Sequence, residues 1–100
     1  MNEQTMIWFL QKSIRHELSR NAMILWMDFY AYLQHLCRAC CPQVRFTELR
    51  TICDLEQEDL LAACQELENA AMLVLQFQQE HLYCRLVAER LYKAPDTTAG

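Results

Sequence analysis

The stretch "FTELRTICDLEQEDLLAACQELENAAMLVL", Phe46 to Leu75, changes its hydrophobic period part-way along, and that change decides the fold. Leu49 and Ile52 stand three residues apart, and Leu60, Leu61, Cys64 and Leu67 recur at one-, three- and three-residue steps, a spacing that keeps apolar side chains on one side of a helix. Thr47 is a suitable cap for a short first helix over roughly 48–53, Asp54 and Leu55 form a turn, and a second helix runs from about Glu56 to Asn69. Beyond Ala71 the period falls to two. Leu73, Leu75 and Phe77 alternate with Val74, Gln76 and Gln78; after "QE", Leu82, Cys84 and Leu86 alternate with His81, Tyr83, Arg85 and Val87. This is a β-hairpin with one apolar face. Its turn holds neither Gly nor Asn, which predicts a loop longer than a tight two-residue turn.

Working outward, Pro42 stops whatever precedes it, because proline lacks the amide proton that a helix needs and restricts the residue before it. The short "QVRF" at 43–46 then reads as an extended piece that pairs with a later strand. Upstream, Asn21 can cap a helix over 22–40 that is apolar on nearly every side (Met23, Ile24, Leu25, Trp26, Phe29, Tyr30, Leu33, Leu36), the signature of a central helix. Before it, Ile7, Leu10, Ile14 and Leu18 recur at helical steps with Lys12, Arg15, His16 and Arg20 between them, predicting an amphipathic helix over 4–20 with a basic outer face. "MIWFL" at 6–10 is apolar beyond one stripe, so a second subunit is expected to cover Ile7, Trp8 and Leu10. The final residues, 94–100, read as a flexible tail after a single domain spanning 1–93.

Composition narrows the function classes. A chain of 100 residues with 53% hydrophobic side chains supports one small core and has no room for a second catalytic domain. No apolar run approaches the roughly 20 residues that a bilayer requires, and no secretion signal is legible, so a cytoplasmic protein without a membrane partner is expected. The six cysteines then read as reduced thiols packed as small apolar groups. A formal charge of −4 opposes general attraction to polyanions and leaves room only for a local basic patch.

In order, these elements are helix, helix, short strand, helix, turn, helix, hairpin, and the residues resemble the winged helix-turn-helix superfamily. Glu48-Leu49 resembles the "EL" that opens the first helix of that unit; Ile52 and Leu55 occupy its aliphatic positions, and Leu67-Glu68, Ala70-Ala71 and Met72-Leu73 match its run from the last helix into the wing. The resemblance covers residues 22–88 and implies a mainly α fold with a small β-hairpin wing and an extra N-terminal helix. The helix-turn-helix would occupy 47–70 and the wing 72–87. It further implies a small DNA-binding regulator of transcription or replication; the surplus apolar surface of the first helix predicts a homodimer, and no catalytic role and no cofactor are expected. Two features depart from the pattern. Ala71 stands where glycine is common, which suits a chain that avoids positive φ there. The helix that would enter the major groove presents Glu56, Gln57, Glu58, Asp59, Gln65 and Glu66 and has no Lys or Arg.

DNA binding ordinarily rests on several basic contacts to phosphate, so the candidate DNA contacts are Arg45, Arg50, His81 and Arg85, with Gln57 and Gln65 as base readers. The competing reading makes Glu56, Glu58, Asp59 and Glu66 an acidic surface for a protein partner. Acids in the first turn of a helix also favour its dipole, which is the plainest account of them. Tyr83, Trp8 and Trp26 could stack on bases, although Trp26 lies in the densest apolar helix. "HLCRACC" brings His35, Cys37, Cys40 and Cys41 together with one C-x-x-C spacing, but a zinc site needs a second ligand pair, so no metal is expected. That C-x-x-C closes a helix, where the dipole disfavours a thiolate, which argues against redox chemistry. No Gly-rich phosphate loop, no nucleophile elbow and no carboxylate pair set in an evident pocket is legible, and no enzyme is expected.

Overall fold

The computed structural model describes residues 2–36 and 42–88. The predicted tail 94–100, the cysteines at 37, 40 and 41, and the bases Arg38, Arg90 and Lys93 lie outside them. The described chain is mainly helical: α1 (Glu3–Arg15), α2 (Arg20–His35), β1 (Gln43–Arg45), α3 (Phe46–Cys53), α4 (Gln57–Asn69), β2 (Leu73–Gln78) and β3 (His81–Leu86). The three strands form one antiparallel sheet in the order β1-β3-β2, so the last strand lies in the middle. Gln43 pairs with Arg85, and Leu73 with Leu86. Of the piece expected to be extended at 43–46, residues 43–45 do pair with a later strand, whereas Phe46 already opens α3.

α2 is the central helix, as its apolar circumference implies. Ala22, Leu25, Trp26, Phe29, Tyr30 and Leu33 are all buried in the core, together with Leu49, Leu60, Leu67, Met72, Leu73 and Leu86 from the other elements. It starts one residue ahead of Asn21, because Ser19 is the cap: its hydroxyl accepts from the Ala22 amide. Glu17 takes the left-handed conformation at φ 48°, which ends α1 at Arg15 rather than near residue 20.

α1 corrects a second expectation. The face turned to the core carries Thr5, Phe9 and Ser13, while Ile7, Leu10 and Ile14 point outward, Ile14 being 77% exposed. The cause is Phe9, whose ring stacks on Trp26 with centroids 4.7 Å apart. The small hydroxyl residues one turn away on either side permit that approach, and Ser13 satisfies itself by donating to the Phe9 carbonyl at 2.8 Å. Trp8 leans on the same Trp26 ring at 5.8 Å, and the Lys12 ammonium lies 5.9 Å above the Trp8 ring. The same ammonium donates to the carbonyl of Ala70, the C-cap of α4, at 2.9 Å, a cation placed where the helix dipole favours one. In α4 itself the inward positions are Leu60, Ala63, Cys64 and Leu67; Leu61, expected inside, is exposed.

Two turns set the hairpin against α4. At the end of α4, Met72 donates to Leu67 at 2.8 Å and Ala71 to Glu68 at 3.0 Å, a Schellman motif whose apolar clasp is the buried pair Leu67 and Met72. That motif requires a left-handed residue, and Ala71 supplies it at φ 60°, so the condition under which alanine is easily tolerated there, an avoided positive φ, is not met. A Cβ in that region costs about 1–2 kcal/mol, which the two hydrogen bonds and the clasp overcome. At the other end of the hairpin, Gln78 pairs with His81, so the loop is only Gln79 and Glu80, at φ 48° and 65°. The longer loop expected from the missing Gly or Asn is not formed. Strand twist demands two left-handed residues in so tight a turn, and here ordinary side chains adopt them.

Candidate functional site

The register of the sheet sorts its side chains onto two faces. Directly paired residues share a face, and successive residues alternate. One face holds Val44, Cys84 and Leu75, with Leu73 and Leu86, and packs on the helices. The other is built from three rows: Gln43, Arg85 and Val74; Arg45, Tyr83 and Gln76; then His81 and Gln78. No carboxylate occurs in these rows. Arg45, Arg85, His81 and Gln78 are exposed, and Tyr83, at the centre of the middle strand, is half-buried between its neighbours. His81 meets the Tyr83 ring edge-on at 6.5 Å.

Three of the basic residues singled out from the sequence, Arg45, His81 and Arg85, therefore come together on one surface. Glu80 in the turn lines a shallow hollow with Arg45, Phe46, Thr47, His81 and Leu82 where β1 gives way to α3. Arg45 is also the residue preceding the first turn of α3, where a side chain without an acceptor atom cannot cap the helix.

The remaining candidates lie elsewhere. Arg50 is exposed on α3 but borders hollows lined by Asp54, Glu56, Glu58 and Asp59, which offset its charge. Gln57 and Gln65 are exposed on α4 with no base on that helix. Glu56, Glu58 and Asp59 are exposed as well, consistent with either a solvated first turn or a contact surface. Glu66 has a structural task instead. Its carboxylate accepts from the Ser19 amide at 2.8 Å and the Ser19 hydroxyl at 2.7 Å, fastening the start of α2 to α4. Glu68 accepts from the Leu75 amide at 3.3 Å and so covers one amide on the open edge of β2. Of the three residues expected at a dimer contact, Ile7 and Leu10 are exposed and Trp8 is half-buried against Trp26.

The described cysteines, Cys53, Cys64 and Cys84, are free and buried where α3, α4 and β3 meet. Burial, with Asp28 and Cys84 nearby, pushes the Cys53 thiol up to about 12, and a hydrogen bond with Cys84 together with burial raises Cys64. Such thiols stay protonated and are poor nucleophiles. Among the described residues no group of three His, Cys, Asp or Glu side chains is arranged to hold a metal, and no helix is long and apolar enough to cross a membrane.

What sequence reasoning missed was the breadth of the sheet face. His81, Tyr83 and Arg85 were legible as the outward set of one strand; that Gln43, Arg45, Gln76 and Gln78 would flank them depends on the middle position of β3. A comparison of the chain with models of protein families, with curated proteins and with solved structures found no match.

Proposed function

We propose that the chain is a winged-helix protein that binds nucleic acid, DNA in the first instance, and acts as a regulator of transcription or replication. The element order and the β1-β3-β2 sheet support the fold assignment, with α3 and α4 as the helix-turn-helix and β2-β3 as the wing. The observation that carries the binding role is the sheet face on which Arg45, Arg85, His81 and Tyr83 converge without a carboxylate in their rows. Phosphate contacts to two arginines supply attraction there that the acidic α4 does not. The expected surface is thus the sheet and wing, with α4 turned away from the polyanion.

The test is a gel shift of the chain with a random nucleic-acid pool at about 50 mM and about 200 mM salt. Retention at the lower salt that falls steeply at the higher supports the proposal; no retention at either discards it. A second reading has its own observation. Glu56, Glu58 and Asp59 stand exposed at the start of α4, and one turn on, Leu61 is an exposed apolar residue, a combination suited to a basic, amphipathic protein segment. Loss of partner capture in Glu58→Lys, with nucleic-acid binding absent throughout, would favour it.

The proposal includes a homodimer through α1. Ile7, Leu10 and Ile14 make an outward apolar row along the helix, and a contiguous exposed row of this kind is more often covered than left in water. Static light scattering that gives the mass of one chain at all concentrations removes this part of the proposal.

A further inference from the structure

We infer that the outer face of the sheet takes single-stranded rather than duplex nucleic acid, with a base stacked on Tyr83 and adjoining phosphates held by Arg45 and Arg85. The inference rests on the nucleic-acid reading above and narrows it.

Two observations carry it. First, Tyr83 sits in the middle strand with Arg45 and Gln76 on either side in its own row. An aromatic ring so placed offers a face to a planar partner, and only an unpaired base has a π face to give in return; inside a duplex both faces are already stacked. Second, duplex reading ordinarily needs an element that enters a groove, and α4, the helix available for it, carries Glu58, Asp59, Glu66 and Glu68 and no base. A sheet face needs no groove.

The chemistry of each position follows. Arg45 lies beside Tyr83 on β1 and Arg85 lies one row along β3, and both contact phosphates adjoining the stacked base. His81, edge-on to the tyrosine, limits how far the base slides toward the hairpin tip. The amides of Gln76 and Gln78 can donate to or accept from any base edge, which predicts weak sequence preference. Glu80 beside Arg45 and His81 opposes the anion and tunes the affinity downward.

The experiment is fluorescence anisotropy of the full chain with a labelled twelve-nucleotide oligothymidylate and with a labelled duplex of the same length, at about 50 mM salt. The expected result is binding of the single strand at least tenfold tighter than the duplex. Tyr83→Phe is expected to keep that affinity within about twofold, and Tyr83→Leu to weaken it between about fivefold and 150-fold, the range for losing one stacked base. Since Tyr83→Leu could disturb the sheet, the unsubstituted chain is also photocrosslinked to an oligonucleotide carrying 5-iodouracil, with Tyr83 as the expected attachment site. Equal or tighter binding of the duplex, or crosslinks that avoid the sheet, overturns the inference and leaves the nucleic-acid reading standing. Binding of neither probe overturns both.

Discussion

The outer sheet face and the outer surface of α4 are both polar and both open to solvent, yet they present opposite charge, and they are assembled differently. α4 draws its exposed residues from one continuous run, Gln57–Asn69, so its acidity is local in the sequence. The sheet face draws on 43–45, 74–78 and 81–85, segments brought side by side only by the strand order. A helix displays what one segment contains, whereas a sheet can gather scattered bases into a patch that the overall charge of −4 conceals. The two surfaces share a core, since Leu67 from α4 and Leu73 and Leu86 from the strands are all fully buried in it.

The largest expected effect tests that sharing. Leu67→Ala removes the buried leucine that also clasps Met72, and a loss of about 2–5 kcal/mol is expected by chemical denaturation. Helix and sheet signals should be lost in one transition; two separated transitions would show that the faces are independently supported. Next comes charge reversal. Arg45→Glu with Arg85→Glu is expected to lower affinity for the oligothymidylate more than tenfold and to flatten the logarithmic salt dependence by about 1.4, the loss of two single-strand phosphate contacts. Glu58→Lys with Asp59→Lys should leave binding equal or tighter. The opposite pattern would move the function from the sheet to α4.

A smaller effect separates acids that fasten from acids that face solvent. Glu66→Ala removes both hydrogen bonds to Ser19 and is expected to cost about 1 kcal/mol, reduced from the usual charged-group range by its partial exposure. Glu58→Ala, with no such partner shown, should change the melting temperature little. Smallest is Ala71→Gly, which relieves a left-handed alanine at φ 60° and should stabilise by about 0.5–1 kcal/mol after the added chain entropy of glycine is subtracted. A destabilised Ala71→Gly would mean that the hairpin's setting depends on the alanine methyl.

These elements also show where sequence reading succeeds. The change of period at Ala71, the apolar circumference of α2 and the strand at 43–45 were legible because each depends on its own residues and one buried side. The inward face of α1 was not. By spacing, Ile7, Leu10 and Ile14 form the better stripe, and only the stack of Phe9 on Trp26 turns the helix the other way. The two-residue turn at Gln79 and Glu80 was hidden for a related reason: pairing across the whole hairpin sets the loop length, overriding the local preference of its residues. For the candidate site, the bases on β1 and β3 were identified singly, and their convergence waited on a strand order that no single segment encodes.

The tryptophan contact between the first two helices has an optical consequence. Trp8 belongs to α1 and Trp26 to α2, and they are the chain's two tryptophans. The contact between the indoles exists only while α1 lies against α2, so the near-ultraviolet circular dichroism of the tryptophans depends on that docking. Its disappearance while far-ultraviolet helicity persists marks the swinging away of the first helix from an intact core, an event that oligonucleotide titrations of the sheet would not register.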